Sequence, residues 1–270
     1  MPKLKLLLLA SLLTFSPFTR LIPQIYTHAE NYGGREQLRE FIKEILVYPE
    51  NERNTDTEGT VVVSLRVKKD GSTENIQVLN PLSEGLDNEA KRIVSLLLWT
   101  PAESSGQFFD EEKKVEIDFN LKKYHRCIKA RGYDQIVHPH LPVDSSLLVY
   151  ERQQTNEKPK PIYSDGYKNF IEFIGNNLVY PDAAVKQSIS GTVDLFFVVE
   201  TSGLISNIRI LNPVGAGCNE EAIRLLRLLK WYPGIVHGKA VRTAMKFSIT
   251  FKLDDYERHQ YVPANNTNQI

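Results

Sequence analysis

The chain has 270 residues, 41% of them hydrophobic and 24% charged, which suffices for ordinary folded cores and excludes wholesale disorder. Lysine plus arginine equals aspartate plus glutamate, at 33 each, so the formal net charge is zero. That balance argues against nucleic acid, whose phosphates call for a basic partner, and gives no support to a basic membrane-surface protein.

Lys3 and Lys5 precede an apolar run from Leu6 to Phe15, which Pro17, Arg20 and Pro23 then interrupt. The run is far shorter than the roughly 20 residues a membrane-spanning helix needs. Residues 1–29 therefore read as a secretory signal peptide cleaved after Ala29; an uncleaved anchor from Leu4 to Ile25 is the alternative. No cysteine follows the run, which disfavours a lipid-anchored protein. Cys127 and Cys218 are the two cysteines; they make no disulfide scaffold, and a single bridge between them stays open.

Residues 34–122 form a first module. Leu38, Phe41, Ile42, Ile45 and Leu46 recur at helical spacing, and Tyr48-Pro49 stops that helix because the residue before proline is pushed out of the helical region. Val61, Val63, Leu65 and Val67 alternate as a strand, Asp70-Gly71 turns the chain, and Ile76 and Val78 mark a second strand. A second helix is expected to open at Asp87, with Glu89 in an acidic first turn and Ala90, Ile93, Val94 and Leu97 as its buried stripe. Val115, Ile117, Phe119 and Leu121 alternate in a third strand. Residues 123–163, with four prolines and little periodicity, read as a linker holding a short ordered piece at Ser146 to Tyr150. His125, Cys127, His138 and His140 fall there, but their spacing fits no closed zinc pattern, so no metal is assigned.

Residues 164–254 repeat the first module. A shift of 132 positions lays Leu46-Val47-Tyr48-Pro49 on Leu178-Val179-Tyr180-Pro181, Gly59-Thr60-Val61 on Gly191-Thr192-Val193, and Leu79-Asn80-Pro81 on Leu211-Asn212-Pro213. Glu89-Ala90, Trp99 and Pro101 fall on Glu221-Ala222, Trp231 and Pro233. Two copies are too few for a solenoid, so the pattern is a domain duplication. Residues 255–270 form a polar tail.

The expected fold is α+β, two tandem helix-strand-strand-helix-strand modules, each with a three-stranded antiparallel or mixed sheet packed on its helices. A helical crossover from the second strand to the third leaves the first strand in the middle, giving the order 2-1-3. The third strand is then an edge, and its unpaired main chain is a template for another strand. Phe196 and Val198 put apolar side chains on the outer face of the second copy's first strand, which calls for an interface there, within the chain or between chains.

Leu178-Val179-Tyr180-Pro181 with Ala184, then Ile189-Ser190-Gly191-Thr192-Val193, Gly203, Ile208, Asn219-Glu220-Glu221-Ala222 and Trp231-Tyr232-Pro233-Gly234 make an ordered series. The series resembles the carboxy-terminal domain of TonB, the periplasmic energy transducer of Gram-negative envelopes, and residues 34–122 follow it less closely. The resemblance implies export to the periplasm, or an inner-membrane anchor facing it. It also implies capture of an extended segment of an envelope protein, such as an outer-membrane receptor, by strand addition. Carried over, the binding edge is Lys246, Phe247, Ser248, Ile249, Thr250, Phe251 and Lys252, with Tyr180 and Pro181 as neighbours. The first copy departs from the pattern at Glu52 and Ala102 and shows Glu116 and Asp118 on its edge strand, so the second copy is expected to bind.

The chain lacks a long proline-lysine-glutamate spacer, which leaves coupling to a proton-driven motor unsupported. No phosphate loop, nucleophile elbow or metalloprotease helix motif occurs, so neither an enzyme nor a cofactor is expected. The alternatives to peptide capture are an envelope scaffold, including a homodimer, whose sheet edges pair with one another, and a membrane-anchored energy transducer.

Overall fold

The computed structural model describes residues 26–163 and 169–253; the expected leader up to residue 25 and the polar tail lie outside them. Copy one begins with a short arm, β1 (Tyr26–Thr27) and β2 (Glu30–Asn31), followed by α1 (Gly34–Ile45) and α2 (Glu50–Asn54). Strands β3 (Gly59–Val67) and β4 (Thr73–Asn80) form a hairpin, and α3 (Glu84–Ser95) crosses over from it. Then come β5 (Trp99–Thr100), β6 (Ala102–Ser104), β7 (Gln107–Phe109) and β8 (Glu111–Phe119). The connecting segment holds α4 (Leu121–Arg131), β9 (Val149–Glu151), a 3-10 turn at Arg152–Gln154 and β10 (Lys160–Ile162). Copy two comprises α5 (Phe170–Asn177), α6 (Asp182–Lys186), β11 (Gly191–Val199), β12 (Ile205–Asn212), α7 (Cys218–Leu228), β13 (Lys230–Tyr232), β14 (Gly234–Val236) and β15 (Lys239–Phe251).

The alternating strands take up the expected order. Copy one is β4-β3-β8 and copy two β12-β11-β15, and every neighbouring pair is antiparallel. The duplication extends to register: Gly59 faces Phe119 and Gly191 faces Phe251, and both hairpins carry their irregularities at the same two places. Val61, Val63, Leu65 and Val67 are fully buried against α3, as Val193, Leu195, Phe197 and Val199 are against α7. Trp99 and Trp231 close the two cores.

Local chemistry departs from the expectation at the second helix. In copy one α3 starts earlier than foreseen, with the Ser83 hydroxyl capping the Leu86 amide. Asp87 and Asn219 instead reach backward, accepting from the Leu82 and Val214 amides of the preceding loop. Glu89 and Glu221 are buried, and they do more than favour a helix dipole. Each accepts the backbone amide that follows the first helix, Val47 or Val179, at 2.7 Å. Arg92 and Arg224 grip these carboxylates and donate to Ile45 or Asn177 carbonyls at the helix end.

Residues 123–163, expected as a linker, are ordered and built into both copies. Arg131 at the end of α4 donates to the Lys43, Glu44 and Leu46 carbonyls, satisfying the carboxyl end of α1. Farther on, β9 pairs with β15 and β10 with β13. Residues 26–29, expected within the leader, belong to copy one: β1 pairs with β6, Ala29 is buried, and His28 Nδ1 lies 2.6 Å from Glu111. Burial works against the Glu111 carboxylate, but hydrogen bonds from His28 and the Ala29 amide hold it below its ordinary value. Both cysteines are free thiols. No helix among the described residues is long and apolar enough to cross a membrane.

The copies meet face to helix, and among the described residues no strand of one pairs with a strand of the other. The arm and α1 of copy one lie on the outer face of β11 and β12, where Val198 is fully buried and Phe196 packs edge-on to Tyr32. That face is the interface which the apolar side chains called for. Asn207, in a left-handed conformation (φ 52), accepts from the Leu98 amide and donates to the Leu96 carbonyl.

Gly33 sits at the tightest point. Its φ is +76, and a Cβ there would come within 2.1 Å of the Ile208 carbonyl oxygen in copy two. Gly34, with φ +67, meets only the tip of Glu30 at 3.0 Å. Gly34→Ala should therefore cost about 1–2 kcal/mol of left-handed strain alone. Gly33→Ala should cost that plus the separation of the two copies. Urea denaturation compares them; equal losses would mean that the copies do not press on each other at this point.

Candidate functional site

An unpaired strand edge is a row of donors and acceptors with a fixed direction, so the site is described by which main-chain groups are taken. On one side β15 pairs with β11 from Thr243 to Phe251 and with β14 from Lys239 to Val241. On the other side the connecting segment runs alongside it. The Ala240 amide donates to the Pro142 carbonyl and its carbonyl accepts from the Asp144 amide, at 2.9 and 2.8 Å. Next, β9 adds in parallel, Val149 beside Arg242 and Glu151 beside Ala244. Beyond Ala244 no strand pairs with this side of β15 among the described residues.

The chain itself takes this side of β15 up to Ala244, short of the expected edge, while Lys246 to Phe251 is unpaired on this side, with Lys252 just past the strand end. Strand parity says which groups stand free. Because the amide of Ala240 points to the connecting segment, those of Lys246, Ser248 and Thr250 point to the same open side.

Side chains hold this edge in place. Phe247, Ile249 and Phe251 turn inward, and the Phe247 ring centroid lies 4.1 Å from that of Phe170 on α5. Lys246, Ser248 and Thr250 turn outward and are exposed. The Ser248 hydroxyl donates to Asp194 at 2.6 Å and Thr250 lies 3.0 Å from the Thr192 hydroxyl, so both fasten β15 to β11. Tyr180 is 3% exposed, its ring edge-on to Phe251 and its hydroxyl donating to the Ile189 carbonyl. It supports the edge from beneath rather than standing beside it. Pro181 is half-buried and precedes α6.

The upper limit of the edge is set by a buried ion pair that the repeat pattern does not reveal. Arg242 and Glu200 are 4% and 5% exposed and form two hydrogen bonds of 2.8 and 3.0 Å. Arg242 donates further to the Leu147 carbonyl before β9 and to the Leu96 carbonyl of copy one. The Ser206 hydroxyl donates to Glu200 and takes a bond from Asn207. One guanidinium therefore ties together the edge strand, the connecting segment and the other copy. A charge amid Ala240, Val241, Thr243 and Ala244 was the sequence signal for it.

Elsewhere the chemistry is sparse. No three His, Cys, Asp or Glu side chains converge among the described residues. His125 and Cys127 stand on α4, and His140 Nε2 lies 3.0 Å from the Gly238 carbonyl oxygen.

The family model described as Gram-negative bacterial TonB protein C-terminal matches the chain twice, at residues 45–121 and 176–253, together more than half its length. No curated protein matches the chain.

Proposed function

Since the chain belongs to the TonB carboxy-terminal family, and carries that domain twice, we propose that it is an exported periplasmic protein whose second copy captures an extended segment of an outer-membrane transport protein by strand addition. The family serves transport across the Gram-negative envelope and is not enzymatic. One observation carries the reading. The side of β15 on which Lys246, Ser248 and Thr250 are unpaired already accepts an added strand, β9, one step away. A guest continuing from β9 would find the same ladder with its rigid backing of Phe247, Ile249 and Phe251.

The available ladder is short. Roughly four to six main-chain hydrogen bonds, each worth about 0.5–1.5 kcal/mol net, stand against an association cost of at least about 4 kcal/mol. Binding by the backbone alone is therefore weak, and the guest's side chains set selectivity.

Proline at Ser248 and Thr250 removes amides that face the open side and spares the main-chain bonds to β11, though it also removes the hydroxyl contacts to Asp194 and Thr192. The double variant Ser248→Pro/Thr250→Pro should bind peptides from the periplasmic segment of an outer-membrane receptor at least about tenfold more weakly while still unfolding cooperatively, at a somewhat lower temperature because those hydroxyl contacts are lost. Titration of labelled peptides against the whole chain checks this. An unaltered affinity removes the edge from the mechanism.

A further inference from the structure

Copy one has its own opening, and its walls are not those of copy two. Beside the edge of β8 lies a groove of about 1480 Å³, bounded also by α1, α4 and the amino-terminal arm. The matched family segment stops at residue 121, where α4 begins, so this wall lies outside the matched domain. Leu38, Ile42 and Val115 supply apolar floor, and the first two are only partly buried.

The rim is cationic. Arg35, Arg39, Lys113, Lys114 and Arg126 line the groove, and none forms an ion pair among the described residues. The carboxylates lining it are mostly engaged. Glu40 is held by Lys43 and Asp118 by Lys123, each at 2.6 Å, and Glu44 accepts the Tyr133 hydroxyl at 3.0 Å. Glu30, Glu44 and Glu116, which have no cationic partner among the described residues, stand against five unpaired cations.

This arrangement works against the fold. Arg35 and Arg39 are one helical turn apart, a spacing at which like charges repel. Arg35 also stands in the first turn of α1, where the helix dipole disfavours a cation. A polyanionic guest relieves both. Four residues along a helix advance about 6 Å, close to the roughly 6.6 Å between alternate residues of an extended strand. Carboxylates at every second position of an extended guest thus match the two arginines, while the intervening side chains fall toward the floor.

We propose that the groove between β8, α1 and α4 binds an extended acidic peptide segment, with alternate carboxylates on Arg35 and Arg39 and alternate apolar side chains over Leu38 and Ile42. This site is separate from the β15 edge and stands whether or not that edge captures a guest. The chain would then hold two partners of unlike chemistry at once.

Fluorescence anisotropy on the whole chain tests it with a labelled decapeptide of alternating glutamate and valine. A lysine–valine decapeptide is the control. The acidic probe should bind, more weakly at high salt, and the lysine probe should not. Arg35→Glu/Arg39→Glu, both exposed positions, should weaken binding at least about tenfold without lowering thermal stability. Ser248→Pro/Thr250→Pro should leave it unchanged. Equal binding of both probes, or full affinity in the arginine variant, overturns the proposal. So does a loss in the proline variant, which would place the probe on β15. A chain ending at Leu253 that binds the probe about tenfold tighter would assign the groove to the chain's own Asp254, Asp255 and Glu257, and would overturn it too.

Discussion

Arg242→Ala should destabilise the protein by about 3–5 kcal/mol, because it strands a carboxylate in the interior. Glu200 is 5% exposed, and without the guanidinium it keeps only the Ser206 hydroxyl among the described residues. The Leu147 carbonyl loses its donor in the same step, and the Leu96 carbonyl is left with Asn207 alone. The loss should spread along the geometry. Amides of β9 and of Leu98 should exchange with solvent faster, since both are held through this point. A double variant, Glu200→Met/Arg242→Met, removes both charges and should recover much of the stability, as apolar replacements of buried pairs commonly do. Urea unfolding of the three proteins checks the cycle. A loss of less than about 1 kcal/mol in Arg242→Ala would show that water reaches the pair and that the junction is looser than described.

The second large effect is expected at a residue that both copies repeat. Glu221→Ala should cost about 2–3 kcal/mol, and Glu89→Ala a similar amount, since each leaves a main-chain amide without its acceptor. The arginine beside each, Arg224 or Arg92, also loses the carboxylate that aims it at the end of the first helix. Glu220, exposed in the first turn of α7, is the comparison. If an acidic first turn were what mattered, Glu220→Ala and Glu221→Ala would be alike. The clip predicts that Glu220→Ala stays within about 0.5 kcal/mol. Thermal or urea unfolding of the paired variants decides between these accounts.

These two residues mark different kinds of legibility. Glu221 was visible in the sequence because duplication repeats it at Glu89, yet its role was misread. A carboxylate near a helix start has a sufficient local explanation, and the partner amide lies far away in the chain. Arg242 was hidden in the opposite way. Under the same shift Arg242 and Glu200 fall on Asp110 and Lys68, so the repeat offers no match there. In copy one those positions are partly exposed and pair elsewhere, Asp110 with Arg66 and Lys68 with Glu74. The duplication finds what the copies share, and the junction is built from what they do not.

The same distinction separates the two edges. Alternation in β15 told which side chains turn inward, because period two is a property of any half-buried strand. It could not tell that β9 would cover the first part of that edge. Three residues, Val149, Tyr150 and Glu151, carry too little pattern to announce a strand, and parallel addition to β15 involves residues about ninety positions apart. The α4 helix was missed for a related reason. Leu121, Tyr124 and Ile128 are apolar at helical spacing, but prolines farther on made the whole stretch look like a linker. Arg131 then joins α4 to α1 through three carbonyls, contacts that no local rule foresees.

By itself the sequence determined the duplication, the strand order within each module and the inward face of every long strand. All three follow from short-range periodicity and from the constraint that a crossover helix places on its strands. Only the tertiary structure decided how the copies sit, with the arm and α1 of one against the outer sheet face of the other, and which part of each edge stays open. Those outcomes rest on single polar contacts between distant segments, Asn207 on Leu98 and Arg242 on Glu200, Leu96 and Leu147. Such contacts draw their strength from burial, and burial is a property of the folded whole.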